Sequence, residues 1–162
     1  MKIRLCVAIA LSLVFSVSAA AQEHSKAEVF GGYQFARLDG GTNLNGWNGD
    51  LTGNFNKHFG MTADFSGNYG SGGSMYTYTF GPNLSGRVGA AKPFVHALFG
   101  GVRLGDSRIS TTGIGMMFGG GLDVGRGRLA WRAVQADWLI ARFSGFTDKK
   151  NARVSTGLVF RF

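Results

Sequence analysis

The chain has 162 residues, a formal net charge of +8, and 27 glycines and 14 phenylalanines against only two prolines. This length suits a single domain, and the lone cysteine, Cys6, excludes a disulfide framework or a cysteine metal site. The basic balance alone could suggest nucleic acid, but there is no basic helix or lysine/arginine-rich run, so we expect no nucleic-acid partner.

Residues 1–21 are predicted to be a secretory signal peptide, with a basic head, an apolar run over 5–17 and small residues before Gln22. A membrane anchor is the competing interpretation, but the apolar run is short and ends in a cleavage-like site. We therefore expect cleavage after Ala21, followed by a short N-terminal stub over 22–27. An exported protein results.

Eight segments with strand character follow. Apolar or small residues alternate with polar ones in each, and a period of two indicates a β-strand. At 10 to 14 residues the typical segment exceeds the roughly five or six residues of a globular strand and suits a tilted span of a bilayer. The predicted strands are 28–38, 46–56, 59–70, 74–87, 93–104, 112–125, 128–143 and 152–162.

The predicted connections alternate in length. Outer-membrane barrels have long outer loops, short periplasmic turns and an even strand count, with both termini on the turn side. That rhythm favours a membrane barrel, although the short third connection is an exception. The longer, odd-numbered connections are 39–45, 71–73, 105–111 and 144–151, and the even-numbered ones are 57–58, 88–92 and 126–127.

Two strands contain an irregular residue. Pro82 lies inside the fourth strand and removes one ladder hydrogen bond, so we expect a bulge or local bend there. Arg132 shares parity with the apolar residues Val134 and Trp138 of the seventh strand. Either Arg132 reaches the headgroup zone from a strand end, or a bulge turns it inward; the sequence leaves both open.

Several motifs occur together in a characteristic order. They are Phe80-Gly81-Pro82, the stretches 93–100, 119–124 and 131–138, and the terminal 157–162. With the signal peptide, they make the chain resemble the OmpA-like family of small outer-membrane barrels over 28–162. The resemblance implies an all-β, eight-stranded, antiparallel up-and-down barrel without the peptidoglycan-binding domain of OmpA itself.

The same resemblance implies a route of assembly. The C-terminal signal read by the barrel-assembly machinery would include Leu158, Phe160 and Phe162, and periplasmic chaperones would be partners during biogenesis. The predicted location is the bacterial outer membrane.

Face assignment predicts a polar lumen. An eight-stranded barrel encloses only enough room for side chains, and poorly solvated charges must pair or be hydrogen-bonded. We therefore predict an interior network that plugs the barrel, with lumen-facing glycines making space for large side chains. The network residues are Glu28, Asp50, Asp64, Arg87, His96, Asp123, Asp137, Arg153 and Arg161, and the glycines are Gly113, Gly115, Gly119 and Gly121.

Aromatic residues are expected to form girdles where the barrel meets the two membrane interfaces. The candidates are Trp47, Tyr69, Tyr76, Trp131 and Trp138. At the tip of the longest predicted loop, Asp148, Lys149 and Lys150 are the candidates for contact with anionic lipid or a partner.

Catalysis is not expected. A hydrolase or acyltransferase needs a nucleophile, a base and an orienting group within hydrogen-bond reach. The three histidines of the mature chain do not meet an outer-rim serine in the predicted topology, and they lack a paired metal-ligand spacing. The histidines are His24, His58 and His96, and the outer-loop serines are Ser107, Ser110 and Ser144.

The sequence therefore predicts a structural or surface-interaction barrel, monomeric, without cofactor or metal, in contact with outer-membrane lipid that includes anionic outer-leaflet lipid. The main alternative is a secreted soluble lipocalin-like barrel that binds an apolar ligand. A small lipid-modifying enzyme and a narrow pore are further alternatives.

Overall fold

The structure is a computed structural model that describes residues 25–38, 41–70, 73–105, 110–144 and 147–162, with backbone only for 148–150. The predicted signal peptide, most of the stub, His24 and Ser107 lie outside the described residues. Among the described residues, no helix is long and apolar enough to cross a membrane.

Eight antiparallel strands follow one another around a closed barrel, and the first strand pairs with the last to complete it. This confirms the predicted all-β, up-and-down architecture. Every strand combines small or β-branched residues with aromatic ones in alternation, which favours an extended backbone. The strands are β1 Ala27–Arg37, β2 Asn43–Asn54, β3 Phe59–Gly70, β4 Gly73–Ser85, β5 Ala91–Gly105, β6 Ser110–Val124, β7 Leu129–Arg142 and β8 Thr147–Arg161.

The predicted alternation of long and short connections is wrong. Several strands extend beyond their predicted ends, because backbone pairing continues through polar residues that lack a clear apolar face. The largest shift is in β8, which begins at Thr147, so Asp148, Lys149 and Lys150 lie in a strand rather than in a loop. The connections are 38–42, 55–58, 71–72, 86–90, 106–109, 125–128 and 143–146.

The barrel has two distinguishable ends. We call the end that carries Ser25, Phe162 and the connections 55–58, 86–90 and 125–128 the terminal end. The opposite end, with the other four connections, is the loop end. Chain order and antiparallel pairing fix this arrangement.

The described charged carboxylates point inward, whereas most large aromatic side chains point outward. In β3, Asp64 is 0% exposed while its neighbour Phe65 is 51% exposed, and the same alternation repeats around the barrel. A soluble barrel has the opposite arrangement. The outward aromatic face is the arrangement of a membrane barrel.

A bulge in β7 settles the direction of Arg132. The β6–β7 register shifts between Leu122 and Asp123, and the β7–β8 register shifts between Arg132 and Gln135. One extra residue on β7 turns both Arg132 and Gln135 inward, where they are buried. Of the two alternatives left open by the sequence, the bulge is the correct one.

Of the bulge or local bend expected at Pro82, no bulge forms, although the β4–β5 pairing is interrupted at Gly81 and Pro82. The β4–β5 pairs Phe80↔Phe99 and Asn83↔His96 share one register on either side of it. Pro82 instead lies on the outward face, opposite Met61 of β3. Proline removes one donor from the ladder, but no extra residue is needed to accommodate it.

The lumen-facing glycines lie where neighbouring atoms leave no room for a Cβ atom. A Cβ on Gly119 would lie 2.1 Å from Asp137 Oδ1, and one on Gly115 would lie 2.6 Å from a methyl of Val102. Gly113 and Gly121 likewise lie against the rings of Phe143 and Phe94. The predicted steric role of these glycines is confirmed.

Candidate functional site

The lumen holds every acidic side chain that the structure describes. Of the predicted network, all members but Arg87 are buried. Arg87 is exposed because β4 ends at Ser85, so the residue lies in the connection 86–90. The prediction for Arg87 is therefore wrong. The buried members are Glu28, Asp50, Asp64, His96, Asp123, Asp137, Arg153 and Arg161.

Glu28 is the centre of the ion pairs nearest the terminal end. Its Oε1 lies 2.5 Å from Lys92 Nζ and 3.6 Å from Arg161 Nε. Arg161 Nη2 in turn lies 3.9 Å from Asp123 Oδ2. The sequence interpretation missed Lys92, because β5 begins at Ala91, two residues before its predicted start. Lys92 lies on the same face of the strand as His96, and this shared parity was the signal that could have identified it as a lumen residue.

Arg132 joins three strands from inside the barrel. Its Nε donates to Asp123 Oδ1 at 2.7 Å, and its Nη1 donates to Asp50 Oδ2 at 2.5 Å. The guanidinium carbon lies 4.2 Å from the ring centroid of Phe30 and 4.4 Å from that of Phe94. Two carboxylates and two ring faces thus enclose one cation.

A second group of charges lies at mid-height. Arg153 Nη2 lies 3.0 Å from Asp137 Oδ2 and 3.2 Å from Asp64 Oδ1, and His96 Nε2 lies 2.8 Å from Asp137 Oδ1. Gln135 connects the two groups, since it accepts from Arg132 Nη1 at 2.7 Å and donates to Asp137 Oδ2 at 2.9 Å. The charges therefore form one continuous network.

Neutral polar side chains complete the middle of the lumen. Arg153 Nη1 donates to both Ser66 Oγ and Thr77 Oγ1 at 2.9 Å. Asn48 donates to Asp64 Oδ2 at 2.7 Å, and Gln34 donates to Asn68 at 3.0 Å. Hydroxyls and amides thus supply bonds that the carboxylates and guanidinium groups need when water is excluded.

Toward the loop end the lumen is largely apolar, which the sequence interpretation did not anticipate. The apolar residues lie on inward-facing positions of six strands, from mid-strand to the loop end, and in the last connection. They form one packed cluster, which we call the apolar plug. The apolar plug consists of Ala36, Leu44, Met75, Leu98, Val102, Met117, Leu139, Ala141 and Phe143, with Leu38 and Leu104 against it.

The histidines are not arranged for nucleophilic catalysis in the described part of the chain. His96 is buried with Asp137, whereas His58 lies at the terminal end with Nδ1 3.1 Å from the Ser85 carbonyl oxygen. Ser110 and Ser144 are exposed at the loop end. No group of three or more His, Cys, Asp or Glu among the described residues could hold a metal ion.

The outer surface carries the predicted aromatic and C-terminal residues. All five girdle candidates are exposed, and the rings of Tyr69 and Tyr76 meet edge to face at 5.8 Å. Leu158, Phe160 and Phe162 also point outward from β8 and its end. These side chains belong to a continuous apolar exterior and contribute nothing to the lumen.

Solved structures with the same barrel include outer-membrane proteins. Neisserial surface protein A (NspA) has a TM-score of 0.71 at 11% identity, covering 87% of this chain and 100% of that one. The N-terminal barrel of Pseudomonas aeruginosa OprF has 0.57 at 12% identity, covering 86% and 100%. Yersinia pestis Ail has 0.54 at 18% identity, covering 86% and 99%.

The chain has the fold of a small outer-membrane β-barrel. No protein-family model matches it, and no curated protein matches it. The resemblance to small barrels of the OmpA-like kind is confirmed at the level of the fold. The lipocalin-like alternative is wrong, because the aromatic face points outward and ion pairs occupy the lumen.

Proposed function

We propose that this protein is an outer-membrane barrel with a structural or surface-contact role, plugged by its own side chains and without catalytic activity. The observation that carries this proposal is the inverted polarity of the closed barrel. Large apolar side chains cover its exterior, and the described carboxylates are inside. Lipid is the solvent that stabilises such an exterior.

A narrow pore is less compatible with the interior. An ion would have to pass the apolar plug and then the Arg153–Asp64–Asp137 contacts, whose side chains are 0% exposed. Eight strands leave space for side chains rather than for a water column. The two layers together support a closed lumen.

Export and assembly are proposed on the sequence features. Residues 1–21 would direct export, and Leu158, Phe160 and Phe162 would be read by the barrel-assembly machinery after delivery by periplasmic chaperones. Their outward direction would leave these side chains available to that machinery. We propose a monomer, because a closed barrel has no free strand edge to pair with another copy.

The surface-contact role is proposed for the loop end. Arg37, Arg103 and Arg142 are exposed there, and Lys149 and Lys150 lie near the start of β8 at the same end. Among the proteins with this fold, one is called a surface protein and another an attachment invasion locus protein. One Ail structure is a complex with the heparin analogue sucrose octasulfate. Polyanions, including anionic outer-leaflet lipid, are the ligands we propose.

Membrane fractionation of the expressed protein tests the barrel proposal. We expect the mature protein in the outer-membrane fraction, with a folded form that migrates differently from the boiled form. A planar-bilayer recording should give no steady conductance. A soluble product without a heat shift would reject the membrane assignment, and a stable conductance would reject the plugged lumen alone.

Binding to sucrose octasulfate and to lipopolysaccharide tests the surface-contact role. We expect K149Q/K150Q to weaken both interactions, while K149R/K150R keeps the positive charge, serves as the matched control and leaves them unchanged. Unaltered binding by K149Q/K150Q would remove these lysines from the proposed site. Asp148 is tested in parallel as D148N, which should strengthen polyanion binding.

A further inference from the structure

The terminal end carries positive charge that the lumen does not use. Lys57, Arg87, Arg126 and Arg128 are exposed in its three connections. No acidic side chain is exposed among the residues whose side chains the structure describes, because the described carboxylates are all in the lumen. The charges at this end are therefore available to an anionic partner.

Each basic connection also contains, or is directly followed by, a large exposed apolar side chain. Phe55, 71% exposed, stacks on Phe59 beside Lys57 with ring centroids 5.9 Å apart. Val88, 75% exposed, follows Arg87, and Leu129, 59% exposed, follows Arg128. The three connections thus repeat one combination of a cation with an apolar neighbour.

Hydrogen bonds join these connections in series. The amide of Ser85 donates to the carbonyl of His58 at 2.8 Å, which joins the first connection to the second. The amide of Gly125 donates to Ala90 at 2.8 Å, which joins the second to the third. The cations are therefore presented together rather than on independent loops.

Cation and apolar neighbour together discriminate between anionic partners. A free phosphate or a nucleic acid would use the positive charge but would leave the exposed phenylalanine and leucine side chains in water. At a membrane interface the apolar side chains lie among the acyl chains, and the basic ones reach the headgroups. The pattern therefore fits a lipid surface.

We propose that the terminal end binds the headgroup phosphates of anionic phospholipids in the periplasmic leaflet. Arg87, Arg126 and Arg128 would contact the phosphates, while Val88 and Leu129 would lie at the acyl boundary. This inference rests on the proposed outer-membrane orientation, in which the termini face the periplasm. It concerns the opposite end of the barrel from the polyanion-binding surface proposed above.

Trp131 provides a local reporter of this contact. It is exposed on β7, close to the connection 125–128, and its Nε1 donates to Thr156 Oγ1 at 3.3 Å. Replacing the other two tryptophans (W47F/W138F) leaves Trp131 alone. A W131F/W138F protein leaves Trp47, which lies nearer the loop end opposite Tyr33.

The experiment compares quenching of each tryptophan by brominated phosphatidylglycerol and brominated phosphatidylcholine in mixed vesicles. A basic side chain near an anionic membrane surface contributes ~1 kcal/mol, so we expect Trp131 to contact phosphatidylglycerol about fivefold more than phosphatidylcholine. R87Q/R126Q/R128Q should abolish this preference. R87K/R126K/R128K should retain it, because the charge remains.

The control variant R37Q/R103Q/R142Q neutralises the loop end and should leave the preference at Trp131 unchanged. Equal quenching by both lipids in the unaltered protein, or a preference that survives R87Q/R126Q/R128Q, would overturn the inference. If neither lipid quenches Trp131 and the heat shift is absent, the barrel has not inserted. That outcome overturns the outer-membrane proposal, and the lipid preference falls with it.

Discussion

The two halves of the lumen are filled by different kinds of side chain: one mainly by charged residues and the other mainly by apolar residues. From the terminal end to mid-height, Arg132 and Arg153 are each enclosed by two carboxylates. Toward the loop end, Leu98, Met117 and Leu139 pack in the apolar plug. Charge pairs fix direction and register because an unpaired buried ion is costly, whereas apolar side chains need only volume and shape.

This difference predicts that the charged half accepts few substitutions, whereas the apolar half accepts many substitutions of similar volume. A wrong partner in the charged half leaves a buried ion without compensation. A different side chain of similar volume in the apolar plug should be accepted. Three substitutions or deletions test this contrast, ordered from the largest expected effect to the smallest.

R153M should have the largest effect. It removes the cation that Asp64 and Asp137 share, and breaking a buried pair costs about 3–5 kcal/mol. The measurement is urea-induced unfolding of the barrel in detergent micelles. K92M is the matched variant, because the Lys92 side chain is 10% exposed and its partner Glu28 also contacts Arg161. If R153M and K92M lowered the free energy of unfolding equally, the greater burial of Arg153 would not explain the effect of R153M.

L139A should have an intermediate effect. Leu139 is 0% exposed in the apolar plug, and truncation of a buried leucine typically costs about 2–5 kcal/mol; we expect the lower part of that range. L139M keeps the volume and should lose less than about 1.5 kcal/mol. If L139M were as damaging as L139A in the same unfolding measurement, the loop-end half would be as specific as the charged half.

Deletion of Ala133 should have the smallest effect. The deletion removes the extra residue of the β7 bulge and leaves Arg132 and Gln135 facing inward on a regular strand. The change in unfolding free energy should stay within about 1 kcal/mol, as for changes that leave packing and buried partners intact. Deletion of Ala136 is the control, since Val134 and Gln135 would then exchange faces. A severe loss on deletion of Ala133 would show that the charged half needs the bulge itself.

Much of the fold could be predicted from the sequence. A period of two is a local property, so the strands of the barrel and the inward direction of residues such as Asp64 follow from the residues themselves. Strand ends were harder to predict, because pairing with a neighbour extends β8 to Thr147 without any apolar pattern. Both β5 and β8 were predicted to start too late. As a result, Lys92 was missed and Lys149 was assigned to a loop.

The site was less predictable than the strands. The sequence identified His96 and Asp137 as lumen residues but could not specify that they touch at 2.8 Å. It left the direction of Arg132 open, because one inserted residue reverses parity and the choice depends on partners in other strands. The apolar plug was missed because Leu98 and Met117 lie at inward positions, where the alternation had indicated polarity.

The seam between β1 and β8 has a consequence for folding kinetics. It pairs the first strand of the chain with the last, for example Glu28 with Arg161, and it is fastened by amide bonds from Lys26 to Phe162 and from Phe162 to Ala27. Contacts of high sequence separation form slowly, since chain entropy must be lost before they are gained. The first strand made must therefore keep an unpaired edge until the last one arrives, and during that interval the edge is open to pairing with other chains.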